Sequence, residues 1–378
     1  MNKFLILVFL ILIAGCGRQD NSLPVIDTQA SKTRVVNLSE VFEKDEMIIL
    51  ETNDSCLISY ITQVIKTKEA IYILDIRYGA FLTSRILKFD KAGRFIRQIG
   101  TTGNGPGEYH LVTAIAYDSL NHNIIAVSEK DILEYDLDGN LIEYYPTRIN
   151  SHIDNIYLLN DTVWLLNHEM NYDIEEKISL FFYHNKQKQD SILLHQYKSD
   201  TKVLLTSQNT PVISDLAKAR YIYYPVRYPE PFLRDTLYEI KGRKFLPSLK
   251  LDFSAVLKVS NETLPQNLPF REWIKESMRI RNISLMDIYR TNRFLVADYL
   301  MDSTLRKFCY DFKKLDGFNL EYGFHDDWFG SQQPINPLPM DLNNGQFFFS
   351  MNSMYIMDKI PGINENSNPV LFFLKIKS

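Results

Sequence analysis

Six short aromatic-rich segments recur along the chain, and this repeat constrains the fold more than any other feature of the sequence. Each segment carries alternating or continuous apolar residues over about six positions, which is typical of a buried or half-buried β-strand. The steps between successive segments are 46, 47, 56, 72 and 63 residues, and the first two match the period of about 40–50 residues of propeller blades. The segments are centred on Phe89, Tyr135, Phe182, Tyr238, Tyr310 and Phe373.

Each aromatic-rich segment has a second apolar strand upstream, and most copies begin with a shorter strand that ends in a polar turn. Asn, Asp and Gly in these turns supply the backbone geometry that hairpins need. Residues 89–96 and 135–142 share a pattern of strand, Asp, two residues, Gly and a further apolar strand, which predicts a fourth strand. The repeating unit is therefore predicted to be four antiparallel strands. The upstream strands are Ile71–Asp75, Ile124–Val127, Val163–Leu166, Tyr221–Tyr224, Phe294–Ala297 and Phe347–Ser350.

The last copy reaches Ile376 with two residues to spare, so it has no room for its own outer strand. Either Arg34–Leu38 or Met47–Glu51 can supply that strand and close a ring that has no exposed strand edge. The sequence thus predicts an all-β fold, a six-bladed β-propeller of four-stranded antiparallel blades closed by an N-terminal strand, over residues 34–378. A length of 378 residues would otherwise suggest two domains, but six blades use that length in one.

One long insertion, at about residues 254–282, separates the fourth and fifth copies. Within it, Pro269–Ile280 is predicted to be a short helix, because apolar residues recur there at three- and four-residue spacing. The apolar stripe either caps the side of the propeller or forms a lid or docking surface. Its members are Phe270, Trp273, Ile274, Ser277 and Met278.

The N-terminus is typical of an export signal. Lys3 precedes the uninterrupted apolar run Phe4–Ile13, which is too short to span a bilayer and has the length of a signal-peptide core. The segment Ala14-Gly15-Cys16 that follows resembles the lipobox of bacterial lipoproteins, in which the signal is removed and the cysteine is acylated. The resemblance implies a signal peptide at residues 1–15 and lipidation of Cys16.

Lipidation would make a bilayer the first partner of the protein, because acyl chains hold a folded domain at a membrane surface. Residues 16–33 are predicted to be a polar lipidated tether. Gly17, in place of the Asp that signals inner-membrane retention in lipoproteins, favours the outer membrane and leaves the periplasmic or surface side open. Removal of Lys3 with the signal changes the formal net charge from −4 to −5.

Parts of the chain resemble a known family. Gly100–Tyr109 follows a Phe-Ile-Arg-Gln-Ile strand and looks like the blade junction of NHL-type repeats. Asp235–Ile240, followed by Leu246–Phe253, is similar to the six-bladed, NHL- and TolB-like β-propeller lipoproteins of Bacteroidota. The resemblance covers nearly all of the mature chain and implies an anchored propeller in the cell envelope, without naming a substrate.

Several kinds of chemistry have no support in the sequence. The seven His residues lack metal-site spacing, and no Gly-x-Ser-x-Gly, Gly-Lys-Ser/Thr or Cys-x-x-Cys motif is present. A net charge of −4 argues against nucleic acid as a partner. Cys56 and Cys309 could pair in an oxidising compartment, but the apolar strand around Cys309 favours a buried free thiol.

The function predicted from these observations is a non-catalytic module that binds a ligand or protein, namely a glycan, a peptide or an envelope protein. His325, Asp327 and Trp328 form the densest polar-aromatic group and could line a sugar site, with the Trp as a stacking platform. The same group is also an ordinary solvated loop, and this second interpretation is favoured.

The alternative prediction is a metal-dependent, lactonase-like hydrolase. The resemblance to six-bladed propellers implies that such an enzyme would hold a divalent cation, such as calcium, at the mouth of the central channel. The candidate ligands are Asp75, Glu129, Asn167 and Asp298, each at or just after the second strand of its blade. This alternative requires the four side chains to converge; without it, no cofactor is expected.

Overall fold

The structure is a computed structural model. It describes residues 22–30, 32–149, 152–159, 162–171, 175–198, 212–224, 233–260, 262 and 270–377.

The described strands form six four-stranded antiparallel blades arranged as a six-bladed β-propeller, as predicted. In blades one to five the four blade strands run in sequence order from the innermost to the outermost, whereas the outermost strand of blade six comes from the N-terminal part of the chain. Blades one to three comprise Ile61–Lys66, Ala70–Arg77, Thr83–Asp90 and Phe95–Ile99; Val112–Asp118, Asn123–Ser128, Asp131–Asp136 and Leu141–Pro146; and His152–Leu159, Thr162–Asn171, Glu175–His184 and Gln187–Lys198. Blades four to six comprise Val212–Asp215, Arg220–Tyr223, Thr236–Lys241 and Lys244–Asp252; Ile283–Arg290, Phe294–Met301, Thr304–Asp311 and Asp316–Glu321; and Leu338–Asp341, Gln346–Met351, Val370–Ile376 and Phe42–Ile49.

The ring is closed by an N-terminal strand, as predicted. Phe42–Ile49 pairs antiparallel with Val370–Ile376 and becomes the outermost strand of blade six. Of the two segments that the sequence offered, Met47–Glu51 overlaps this strand, whereas Arg34–Leu38 does not form it. Arg34–Leu38 instead ends at the first residue of the short helix Leu38–Val41, and this helix leads directly into the closing strand.

The predicted tether is too long, because part of it belongs to the fold. Val25–Asp27 forms a fifth, parallel strand on the outer edge of blade four and pairs with Lys250–Asp252. Thr33 makes a further bridge to Asn319 of blade five. The predicted domain boundary at residue 34 therefore lies about ten residues too late. The sequence pattern missed it because a three-residue strand has no periodicity to detect.

The aromatic residues lie mainly between the blades. Tyr72, Tyr135, Tyr223, Phe308 and Phe373 are among the largest fully buried side chains. Each belongs to a cluster that joins strands of adjacent blades, so the aromatic repeat of the sequence is the core of the ring.

The glycine-rich segment after blade one is a tight crossover. Gly100 has a φ of +66°, and a Cβ atom there would lie 2.7 Å from both the Tyr109 and Tyr135 side chains. Gly107 also has a positive φ, and a Cβ atom there would lie 2.8 Å from Leu141. Glycine is required at these positions because it alone combines that backbone conformation with the close approach of the core.

The helix and cysteine predictions can also be compared with the structure. The insertion contains the helix Phe270–Ile280, close to the predicted bounds. Cys56 and Cys309 are buried and free, and burial raises the pKa of the Cys309 thiol to about 12. Within the described part of the chain, no helix has both the length and the apolar character needed to cross a membrane.

Candidate functional site

The antiparallel order of the blades gives the ring two different ends. Turns between the first and second strands and between the third and fourth strands leave one end, which we name the turn end. Turns between the second and third strands and all crossovers between blades leave the other end, which we name the crossover end. The candidate metal ligands Asp75, Glu129, Asn167 and Asp298 all lie toward the crossover end.

Asp75 is fully buried and is occupied by protein groups. Its Oδ2 accepts a hydrogen bond from Arg85 Nε at 3.0 Å, and its Oδ1 accepts from the backbone N–H groups of Ser59 and Tyr60 at 2.8 and 3.0 Å. Arg85 in turn donates to the backbone carbonyls of Ser55 and Leu57. The ion pair therefore fastens the loop 55–60 to blade one, and Asp75 acts as a positioning residue for that loop.

The remaining candidates do not join Asp75. Glu129 is exposed in a turn, and Asn167 pairs with Ile153 in backbone register. Asp298 accepts a hydrogen bond from Lys307 Nζ of the next strand. Among the residues that the structure describes, no group of three or more His, Cys, Asp or Glu side chains could hold a metal ion.

Asp75 and Asp298 occupy different positions in their blades, although their sequence contexts look alike. Thr67 and Thr291 begin the same type of turn, with hydrogen bonds to Ala70 and Phe294. Asp75 lies five residues after Ala70, whereas Asp298 lies four residues after Phe294. Because side chains alternate between the two faces of a strand, the two carboxylates lie on opposite faces of their blades.

Blade five contains a row of three charged groups that sequence reasoning identified only in part. Asp287 of the innermost strand lies opposite Asp298, and Asp298 lies opposite Lys307. Lys307 is 4% exposed, and Asp287 Oδ1 is shielded from solvent without a hydrogen-bond partner among the described residues. Burial, and then the Asp298 carboxylate, raise the pKa of Asp287 well above its ordinary value. The available signal was an acid inside the apolar strand Ile283–Arg290.

His325, Asp327 and Trp328 hold the N-terminal segment in place. His325 Nδ1 lies 3.1 Å from Asn37 Oδ1, and Asp327 Oδ1 accepts a hydrogen bond from Ser39 N at 3.2 Å.

Trp328 is half-buried, and Lys44 Nζ lies 5.2 Å from its ring centroid. A cleft of about 400 Å³ lies beside His325 but is not lined by Asp327 or Trp328. The three residues thus share a structural role at the ring closure, and ligand binding by them stays a prediction.

The crossover end of blade one carries an exposed apolar surface that the sequence analysis missed. Its members belong to two loops that meet in space: the Tyr60 and Tyr78 rings lie 6.2 Å apart, and Ile76 N donates to Tyr60 O at 2.9 Å. Phe81 is 84% exposed and Tyr78 is 73% exposed. A usable signal was the apolar character of residues 78–82 in a turn. We name Leu57, Tyr60, Tyr78, Phe81 and Leu82 the aromatic surface.

The fold and these sites define the class of protein: a six-bladed β-propeller with the exposed aromatic surface at its crossover end. Residues 23–375 match the sequence profile of DUF4934, a domain of unknown function. The chain belongs to this family. The match begins just before the parallel strand Val25–Asp27, in agreement with the corrected domain boundary.

Solved structures show the same fold. A candidate exported protein of Bacteroides fragilis NCTC 9343 is similar at a TM-score of 0.62 and 17% identity, with 94% of this chain and 100% of that chain covered. A DUF4221 family member of Bacteroides vulgatus ATCC 8482 is similar at a TM-score of 0.51 and 11% identity, with 89% and 98% covered. No curated protein matches this chain.

Proposed function

We propose that this protein is a lipid-anchored propeller of the cell envelope that binds a glycan, a peptide or another envelope protein without catalysis. The observation that carries the proposal is the aromatic surface. Five large apolar side chains, each 45–84% exposed, belong to two loops of blade one that meet at the Tyr60–Tyr78 ring pair. Contiguous exposed apolar patches are uncommon on soluble domains and often mark interaction sites.

One of the two loops of the aromatic surface, residues 55–60, is held by buried charge. Asp75 and Arg85 together bind backbone groups of Ser55, Leu57, Ser59 and Tyr60. A surface whose conformation is already set loses less conformational entropy when a ligand binds. Tyr and Phe rings also combine a large contact area with few rotatable bonds, which suits peptide backbones and sugar faces.

The location in the cell envelope is part of the proposal. Support comes from the apolar run Phe4–Ile13 and the Ala14-Gly15-Cys16 segment of the sequence. A similar fold occurs in a candidate exported protein of Bacteroides. Acylation of Cys16 would hold the propeller at a bilayer, and the outer membrane is the proposed site.

The hydrolase alternative receives less support from the geometry. Asp75 is neutralised by Arg85, Asp298 by Lys307, and Asp75 and Asp298 lie on opposite faces of their blades. Asp287 is an acid with a raised pKa on the innermost strand of blade five, but the described residues contain no group of three or more His, Cys, Asp or Glu side chains that could hold a metal ion. We therefore propose binding and not hydrolysis.

A glycan and peptide binding screen with the purified protein tests the proposal. We expect the double variant Phe81→Ser/Leu82→Ser to bind the ligand found in the screen about tenfold or more weakly. Exposed aromatic anchors commonly contribute more than 1.4 kcal/mol to the free energy of binding. Leu120→Ser is the matched control, since Leu120 is 74% exposed and lies in a turn at the other end of the ring. Equal affinity for the wild type and both variants would place the binding site elsewhere.

A further inference from the structure

The turn end of the ring is basic, although the whole protein is acidic. The described turns at this end contain nine Lys and Arg residues and two acids, Glu69 and Asp138. The strand ends next to these turns add seven Asp and five Lys and Arg residues, which leaves the turn end with an excess of positive charge. Acids among them, such as Asp90 and Asp136, accept backbone N–H groups of the turns. The basic residues are Lys68, Lys91, Arg94, Lys186, Lys218, Arg243, Arg293, Lys313 and Lys314.

The crossover end has the opposite balance. Its described loops and helix contain thirteen Asp and Glu residues against nine Lys and Arg residues. The mature chain has a formal net charge of −5 once the signal segment with Lys3 is removed from the −4 of the full sequence. The excess of positive charge at the turn end is therefore a feature of that end and not of the composition.

Part of the basic charge at the turn end has no acidic partner. Arg94, Lys186, Arg243 and Arg293 form ion pairs with Asp90, Glu143, Asp190 and Asp311. The other five are exposed lysines, and the described part of the chain provides no carboxylate within ion-pair distance of them. These free lysines are Lys68, Lys91, Lys218, Lys313 and Lys314.

The strand Val25–Asp27 gives the direction in which the described chain enters the fold. Lys244–Asp252 runs from the turn end to the crossover end, and Val25–Asp27 lies parallel to its last three residues. Pro24, which precedes Val25, accepts a hydrogen bond from Lys250 N at 2.9 Å, so the described chain enters this strand from the side of the turn end. Val25 lies opposite Lys250, six residues, or roughly 20 Å, from the start of that strand.

The chain between the lipid site and the fold is short. Six peptide units separate Cys16 from Ser22, the first described residue. At most about 3.6 Å per residue, they span roughly 20 Å. An acyl group on Cys16 thus keeps blade four close to the bilayer, within reach of the plane of the turn end.

From these observations we infer that the turn end of the propeller faces the membrane and that its free lysines contact anionic lipid headgroups. The inference rests on the lipid anchor of the proposed function. Lys and Arg side chains near an anionic bilayer are attracted within a Debye length, about 10 Å at 0.1 M salt. In this orientation the aromatic surface, at the opposite end, faces away from the membrane toward its ligand.

Lysine reactivity of the lipidated protein in vesicles tests the orientation. The protein is reconstituted into phosphatidylcholine vesicles with or without phosphatidylglycerol, treated with an amine-reactive reagent, and analysed by mass spectrometry of its peptides. We expect Lys68, Lys91, Lys313 and Lys314 to react several-fold more slowly when phosphatidylglycerol is present. This protection should disappear at about 1 M salt, where the Debye length is about 3 Å.

Matched lysines at the crossover end are the internal controls. Lys130 and Lys258 are exposed there and should react equally in both kinds of vesicle. The variant Lys313→Glu/Lys314→Glu should reduce the protection of Lys68 and Lys91, whereas Lys130→Glu/Lys258→Glu should leave it unchanged.

The possible failures are distinguishable. An acylated protein whose turn-end lysines are unprotected overturns the orientation and leaves the anchor intact, and equal protection without phosphatidylglycerol overturns the contact with anionic headgroups. Protection of Lys130 and Lys258 instead would reverse the orientation. A mass spectrum that shows an unmodified Cys16 overturns the anchor itself, and the orientation falls with it.

Discussion

Blades one and five place the same kind of ion pair in two different surroundings. In blade one, Asp75 of the second strand lies opposite Arg85 of the third, and Ile61 of the innermost strand completes the row. In blade five, Asp298 lies opposite Lys307, but the innermost position is Asp287. The first row has balanced charge; the second has one acid in excess.

This difference shows that the residue on the innermost strand determines whether the carboxylates of a row have enough partners to compensate their charge. Asp75 has Arg85 and two backbone N–H groups as partners, so ionisation is compensated in place. Asp287 shares one ammonium group with Asp298, and its Oδ1 lacks a hydrogen-bond partner among the described residues. Its raised pKa is the expected result, because burial disfavours the charged carboxylate and the nearby Asp298 carboxylate adds to the effect.

The largest effect on the free energy of unfolding is expected when the Asp75–Arg85 pair of blade one is removed. Asp75→Ala leaves the Arg85 guanidinium buried without a counter-charge and removes the acceptor of two backbone N–H groups. We expect a loss of about 3–5 kcal/mol in the free energy of unfolding, measured by denaturant titration. The control Asp138→Ala removes the 80% exposed partner of Lys88 and should cost no more than about 0.5 kcal/mol.

A double variant keeps this test informative if Asp75→Ala fails to fold. Asp75→Ala/Arg85→Met contains neither buried charge and should recover part of the lost stability. A loss below about 1 kcal/mol for the single variant, near the value of an ordinary surface substitution, would show that the pair does not stabilise the loop 55–60.

A smaller effect is expected for the equivalent change in the row with excess acid. Asp298→Ala leaves Lys307 buried, but Asp287 is adjacent and can ionise in its place. We therefore expect a loss of about 1–2 kcal/mol, the order of one charged hydrogen bond, when unfolding is followed at neutral pH. A loss as large as that of Asp75→Ala would mean that Asp287 does not act as the substitute counter-ion.

The smallest effect is a gain of stability with a characteristic pH dependence. The folded-state pKa of Asp287 is raised by burial, so its neutral form contributes stability fully below the unfolded value of about 3.9. That contribution is lost as the pH rises from there toward the folded pKa.

Asp287→Asn removes this loss. We expect the variant to exceed the wild type by about 1 kcal/mol near neutral pH, the order of the cost of one poorly satisfied buried group, and the difference to vanish near pH 4. Thermal unfolding over a pH series measures it. A difference in stability that shrinks with rising pH would contradict the upward shift of the Asp287 pKa.

The candidate site could be predicted from the sequence only in part. Asp75 and Asp298 stand out because each follows four apolar strand residues, and both have roles in the structure. The sequence suggests that they are equivalent, but the turns at Thr67 and Thr291 offset them by one residue. Since the side-chain period of a strand is two, this offset places the carboxylates on opposite faces.

The sequence by itself determined the six repeats, the ring closed by an N-terminal strand and the helix Phe270–Ile280. These features depend on local periodicity, turn chemistry and chain length, all of which can be read directly from the amino-acid sequence. Tertiary structure decided which distant residues meet: Val25 with Lys250, Asp287 with Lys307, and the loop 55–60 with residues 76–85. Strand register and loop packing govern these meetings, and both depend on contacts between segments far apart in sequence.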